Sequence, residues 1–258
     1  MRLACCAVLI LLPPSEGKTA PAAGAPLELD ALAYPELTPV RERVLGALEK
    51  LSAGRPARAL AALDLSERQV GELARNAALR SAPAAPAAEV YTGVLYERLR
   101  LPDLPAAARE RVLIASALWG VVRPDDRIPA YRLSMAARLP RLGGLAARWR
   151  PALRAALPDE GLVVDLRSGP YVAAWTPRAA EVVAVRAFTE RAGRRTAVSH
   201  IVKATRGDVA RLLLQARTPP RDAAEVAQLV GASGREVDLE TGRGARSVDV
   251  IYRDDGTG

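Results

Sequence analysis

The stretch Ala7-Val8-Leu9-Ile10-Leu11-Leu12, closed by Pro13-Pro14-Ser15-Glu16-Gly17-Lys18-Thr19, governs the reading of the chain. A short apolar run with no alternation, halted by two prolines, is the pattern of a strand buried on both faces. Such a strand belongs at the centre of a sheet with helices on either side. The polar loop directly after it stands where α/β proteins place ligands. We therefore expect an α/β fold: a single compact domain with a central mixed sheet flanked by helices. The run Leu3 to Leu12 behind Arg2, with Ala20-Pro21-Ala22 downstream, also imitates a secretory signal. The strand is the preferred reading, and with it a cytoplasmic protein.

Composition narrows the class. With 258 residues, half of them hydrophobic, the chain can bury a proper core, so intrinsic disorder is excluded. No apolar stretch reaches the ~20 residues of a membrane helix. Lys plus Arg number 37 against 29 Asp plus Glu, a formal charge of +8, which points to polyanionic partners such as DNA or nucleotides. Most of those cations are arginines in an Ala-, Gly- and Pro-rich chain, the drift of a GC-rich coding sequence. Lysine occurs only at Lys18, Lys50 and Lys203, and is the more informative cation. Cys5 and Cys6 are adjacent and are the only cysteines, which excludes a disulfide framework and fits a reducing compartment. With His200 the only histidine, a Cys/His zinc site is excluded too, and we expect neither metal nor cofactor.

Along the chain, Thr38-Pro39 reads as cap and first helical residue, with Val40, Val44, Leu45, Leu48 and Leu51 as the apolar stripe and Gly54 as the stop. Ser66-Glu67-Arg68-Gln69 is a capping box opening a second helix. Ala82 to Ala88 reads as loop, Arg111 to Ala117 as a strand, and Leu145 to Leu157 as a helix kinked at Pro151. Leu162 to Leu166, Val182 to Phe188 and Thr196 to Val202 read as strands. Helices follow over Arg206 to Ala216 and Asp222 to Val230, then a hairpin from Gly234 to Tyr252 around Thr241-Gly242-Arg243-Gly244. There is no repeat and no clear linker.

Four polar segments fall at expected strand ends. Gly17-Lys18-Thr19 invites comparison with the P-loop but fails it: Leu12 stands where a glycine is needed, and Pro21 and Gly24 follow where a helix should start. What remains is a lysine with Ser15 and Thr19, suited to one anionic group. Arg123-Pro124-Asp125-Asp126 offers a guanidinium that grips a phosphate through two parallel bonds, or one that merely pairs with Asp to fix a turn. Lys203-Ala204-Thr205-Arg206-Gly207 joins an expected strand to an expected helix, where backbone N–H groups would reinforce both cations. Asp165 to Tyr171 adds hydroxyls and a carboxylate, without a nucleophile elbow or a paired-carboxylate spacing. His200 reads as a packed histidine. No catalytic constellation is evident.

Taken in order, several motifs resemble the YaaA peroxide-stress family. They are Pro13 to Thr19, Val90-Tyr91-Thr92-Gly93, Leu118-Trp119-Gly120-Val121-Val122-Arg123-Pro124 with Asp126, Tyr131-Arg132-Leu133 with Met135, Leu166 with Ser168 and Tyr171, and Lys203 with Arg206-Gly207. The match begins near Val8, so residues 1–7 read as a possible extension before a domain spanning 8–258. The resemblance implies a cytoplasmic protein of the peroxide response that limits free intracellular iron and so Fenton damage. It also implies a family-specific α/β fold with a positively charged cleft and a helix-hairpin-helix element associated with DNA binding. Carried over by position, the phosphate- or DNA-binding cleft comprises Ser15, Lys18, Tyr91, Arg123, Tyr131, Arg132, Ser168, Tyr171, Lys203 and Arg206. The resemblance assigns no catalytic role; an enzyme acting on a nucleotide or nucleobase in the same cleft is the alternative. Ala130, Ser134 and Pro170 depart from the Pro, Glu and Glu of many relatives, which makes this cleft more basic. Leu142-Gly143-Gly144-Leu145 is the nearest approach to the hairpin of a helix-hairpin-helix.

Overall fold

Strand β1, Leu9–Leu12, is buried along its whole length because it has parallel neighbours on both sides. One is β2 (Val112–Ser116), itself wholly buried; β2 also pairs antiparallel with the edge strand β3 (Gly120–Val122). The other is β4 (Leu162–Asp165), which pairs parallel with β5 (Glu181–Arg191). Strand β6 (Arg194–Thr196) folds back antiparallel on β5, and β7 (Glu236–Gly242) and β8 (Ala245–Arg253) form the last hairpin. β8 lies parallel to β5, giving an eight-stranded mixed sheet of order β7-β8-β5-β4-β1-β2-β3 with β6 alongside β5. This computed structural model describes residues 8–242 and 245–253. The extension at 1–7, Cys5, Cys6 and the expected hairpin tip at Arg243-Gly244 lie outside the described residues.

Helices cover both faces, as a sheet of continuous apolar runs requires. They are α1 (Thr38–Ser52), α2 (Pro56–Leu63), α3 (Gly71–Ala77), α4 (Ala87–Val90), α5 (Val94–Leu99), α6 (Ala106–Arg109), α7 (Leu145–Ala156), α8 (Gly169–Val172), α9 (Ser199–Gln215) and α10 (Ala223–Ala232). The stripe expected on α1 is present: Val44, Leu45, Leu48 and Leu51 are buried. The expected capping box at Ser66 is present as well, but it opens a single 3-10 turn, Glu67–Gln69, ahead of α3. α7 carries Pro151 inside it as expected.

Three expectations are corrected. The strand expected over Thr196 to Val202 stops at Thr196, and α9 begins at Ser199. Ile201 and Val202 favour strand as isolated residues, but Thr205, Val209 and Leu213 bury one face at helical spacing, and packing overrides that propensity. The loop expected over Ala82 to Ala88 contains Ala85–Pro86, paired with Arg127–Ile128, and the start of α4. Gly143–Gly144 pairs with Arg138–Leu139 as a small hairpin and leads into α7, so no helix-hairpin-helix is formed there.

The parallel strands share one direction, so the loops after β1, β2 and β4 emerge on one edge, the carboxyl edge. α9 starts there and runs back toward the amino end, where Arg111, just ahead of β2, donates to the Leu214 carbonyl. Gly207 lets α9 cross α5 closely: a Cβ at that position would lie 2.3 Å from the Leu95 carbonyl oxygen.

Candidate functional site

The loop after β1 is stitched to the segment that follows α4. Lys18 and Tyr91 form an antiparallel bridge, Thr19 N–H donates to the Val90 carbonyl at 2.9 Å, and Thr92 N–H donates to Ser15 Oγ at 3.1 Å. Ser15 in turn donates its hydroxyl to the Gly17 carbonyl. The two motifs, 73 positions apart from Lys18 to Tyr91, are therefore one structural unit at the carboxyl edge.

Around that unit the tyrosines converge. The rings of Tyr91 and Tyr96 stack at 5.5 Å, while Tyr131 stands edge-on to Tyr91 at 6.5 Å and to Trp119 at 5.8 Å. Their hydroxyls are satisfied inside the protein. Tyr131 lies 2.7 Å from Ser116 Oγ and 2.9 Å from the Tyr91 hydroxyl, and Tyr96 donates to the Pro13 carbonyl at 2.7 Å. Ser116 Oγ also accepts the Trp119 N–H at 2.9 Å, which fixes the turn leaving β2. Burial pushes the hydroxyls of Tyr91, Tyr96 and Tyr131 well above the usual tyrosine range, so all three stay neutral. Burial likewise pushes Tyr171 up to about 12; its hydroxyl is hydrogen-bonded to the Met135 backbone.

The Lys18 ammonium is set into this aromatic floor. Its Nζ lies 4.3 Å from the centre of the Tyr131 ring and 5.4 Å from that of Tyr91, and donates to the Ser15 carbonyl at 2.7 Å. Among the described residues no carboxylate comes within ion-pair distance of it: that of Glu16 lies 3.5 Å from Arg132. Burial, reinforced by the Arg132 charge, pulls Lys18 down to about 7. The Tyr131 face favours the charged form and burial favours the neutral one. The result is an amine that titrates near neutrality.

Arg132 is held over the loop by its backbone, which exchanges two hydrogen bonds with the fully buried Asn76 at 2.8 and 2.9 Å. Its guanidinium donates to the Glu16 carbonyl at 3.0 Å. Ser168 precedes α8, and its carbonyl accepts the N–H groups of Tyr171 and Val172. Asp165 ends β4 and is tied to Arg167 by a buried bridge at 2.7 Å. Arg206, half-buried on the second turn of α9, is pulled down by burial while the Asp165 charge opposes that shift, and its Nε is buried with no hydrogen-bond partner among the described residues.

Two expected placements change. Arg123 lies away from this edge: β3 runs back along β2, and the Arg123 guanidinium donates to the Glu110 carbonyl ahead of β2, at the amino end, and packs on Tyr34. Its backbone N–H donates to the Asp126 carboxylate at 2.8 Å, so this segment fixes a turn. Lys203 sits within α9, exposed, one turn before Arg206, so the helix-start N–H groups do not flank it. Ser15, Lys18, Tyr91, Tyr131, Arg132, Ser168, Tyr171 and Arg206 share the carboxyl edge, while Lys203 has no contact that ties it to them among the described residues.

Sequence reading missed Asn76, Tyr96 and Arg41. The fully buried Arg41 spends its guanidinium on the carbonyls of Ala33, Tyr34, Trp119 and Val121, and thereby fixes the turn between β2 and β3. A usable signal did exist: of only six tyrosines in the chain, Tyr91, Tyr96, Tyr131 and Tyr171 all fall in or beside the motifs.

The family model described as peroxide stress protein YaaA matches residues 8–232. The chain belongs to that family. Its relatives include a UPF0246 protein of Streptomyces coelicolor, 47% identical with 96% of this chain and 99% of the relative covered. A UPF0246 protein of Corynebacterium efficiens is 43% identical, over 92% of this chain and 97% of its own length. A protein of Campylobacter jejuni is similar at 29% identity, over 66% of this chain and 71% of its own. The YaaA match spans every segment of the carboxyl-edge site, from the Lys18 loop to Arg206. No helix among the described residues is long and apolar enough to cross a membrane.

Proposed function

We propose that this YaaA-family protein works in the cytoplasm during peroxide stress, helping to limit free iron and oxidative damage, through a carboxyl-edge pocket that takes a phosphate-bearing ligand. The observation that carries the ligand class is the Arg206 guanidinium, its Nε buried with no acceptor among the described residues, on the same edge as the Lys18 amine and Arg132. A guanidinium left without a carboxylate, as at Arg206, suits phosphate oxygens, which accept two parallel hydrogen bonds. The aromatic floor under the Lys18 amine favours a single nucleotide, or one nucleotide turned out of a strand, over the side of a duplex.

Binding of DNA along its backbone is the second reading. It is favoured by the net charge of +8 and by a separate cleft of about 380 Å³ lined by Arg150, Arg154 and Arg178 beside Trp175. Thermal-shift measurements with nucleotides test the first reading: a ligand present at a hundred times its Kd stabilises the fold by about 2.7 kcal/mol. Filter binding with a duplex tests the second, and its affinity would fall steeply with salt. Failure of every nucleotide to stabilise the protein, together with no retention of DNA at low salt, would refute both readings.

A further inference from the structure

We infer that Lys18 is a carbonyl-capturing nucleophile: its amine, lodged between the Tyr91 and Tyr131 rings without a carboxylate partner, forms an imine with the aldehyde of an open-chain sugar phosphate. The phosphate half of that ligand rests on the function proposed above; the aldehyde half rests on Lys18 alone.

Lysines are ordinarily solvated or ion-paired, because burying an unpaired ammonium is costly. Lys18 is neither. Its Nζ has one oxygen partner, the Ser15 carbonyl, and otherwise faces aromatic carbon. The two carboxylates whose charge reaches it are engaged elsewhere, Glu72 with Arg75 and Glu16 with Arg132. Every tyrosine hydroxyl below it is engaged with Ser116, with Pro13 or with another tyrosine, so none competes to neutralise a charge on the amine. A desolvated lysine beside another cation is the recognised arrangement for an amine that attacks carbonyl groups. An ordinary lysine is neutral in about one molecule in a few thousand at neutral pH, whereas a group titrating near 7 is neutral in about half, roughly a thousandfold gain in reactive form. The hydroxyl of Ser168 and the guanidinium groups of Arg132 and Arg206 on the same edge suit a ligand bearing hydroxyls and a phosphate.

The step balances without a co-reactant. The Nζ lone pair adds to the aldehyde carbon, and a proton passes from nitrogen to the former carbonyl oxygen. That hydroxyl then leaves as water as the C=N bond forms. Two sources carry this chemistry: a free pentose phosphate, and the ring-opened sugar of a strand that has lost a base.

The full-length protein is incubated with ribose 5-phosphate in one arm and with an abasic oligonucleotide in the other, then reduced with sodium borohydride and weighed intact. The expected product is one adduct, heavier than the protein by the aldehyde less one oxygen. Peptide mapping should place it on Lys18 at least tenfold over Lys50 and Lys203, with Lys18→Arg abolishing it. Mapping of the unaltered protein makes the result independent of how that variant folds. The arm that labels identifies the source. No adduct in either arm, or label spread over Lys50, Lys203 and the terminal amine, overturns the inference. Ribitol 5-phosphate, which has no aldehyde, separates the two readings: stabilisation by ribitol 5-phosphate without trapping by either aldehyde refutes the imine alone. Equal trapping of a phosphate-free aldehyde on Lys18 upholds the imine and refutes the phosphate reading.

Discussion

Replacing Lys18 with Met should change how the stability of this protein depends on pH. In the folded chain the Lys18 amine is pulled down to about 7, against an ordinary value of 10.5 in the unfolded chain. Below about pH 7 both states hold the proton, and the fold carries the full cost of a buried charge. Between about 7 and 10.5 the unfolded chain still binds a proton that the folded chain has released, so stability rises with pH across that window. With one pKa unit equal to about 1.4 kcal/mol, the wild type should gain about 2 kcal/mol between about pH 7 and about pH 9. Lys18→Met keeps the apolar stem and has nothing to titrate, so it should lack this component. Urea unfolding of both proteins at several pH values, read as the difference between them, removes the contribution of every other group. A difference that stays flat from about pH 7 to about pH 9 would refute the reasoning and mean that the Tyr131 face holds the amine charged.

Other outcomes follow from the same contacts. Arg41→Leu strands four carbonyls, those of Trp119 and Val121 deeply buried where β2 turns into β3 and those of Ala33 and Tyr34 ahead of α1, and should cost about 3–5 kcal/mol in urea unfolding. At Gly120, which has a φ of +77°, a Cβ would meet the buried Trp149 ring at 2.7 Å. Gly120→Ala should therefore lose about 2–4 kcal/mol, seen as a lowered Tm. Asp165→Asn leaves the buried Arg167 without its counter-ion and should cost about 3–5 kcal/mol, whereas Arg100→Ala, which breaks an exposed pair with Asp103, should change unfolding by less than about 1 kcal/mol.

The central strand was legible because both of its faces are covered, which writes an unbroken apolar run. The polar segments after β1 and β4 were legible for the same topological reason. What could not be read was the return path of β3. The three residues of β3, beginning at Gly120, reverse the chain, so Arg123, close in sequence to Trp119, ends up at the opposite edge from Ser116. Ile201 and Val202 misled through their strand preference, since the pattern that outweighs it lies later, at Thr205, Val209 and Leu213. Asn76 and Arg41 were silent because their partners are backbone atoms, several of them 56 to 80 positions away, and a backbone group has no sequence signature.

The position of β1 sets a timetable for folding. Its two partners are β2, about a hundred residues downstream, and β4, about fifty beyond that. This run of leucines and isoleucine leaves the ribosome well ahead of both and waits with two unsatisfied edges while they are synthesised. Such distant pairing is slow to close, and the waiting segment is the kind that chaperones hold and that aggregates when they do not. The strand that makes the finished protein solid at its centre is, during synthesis, its most exposed liability.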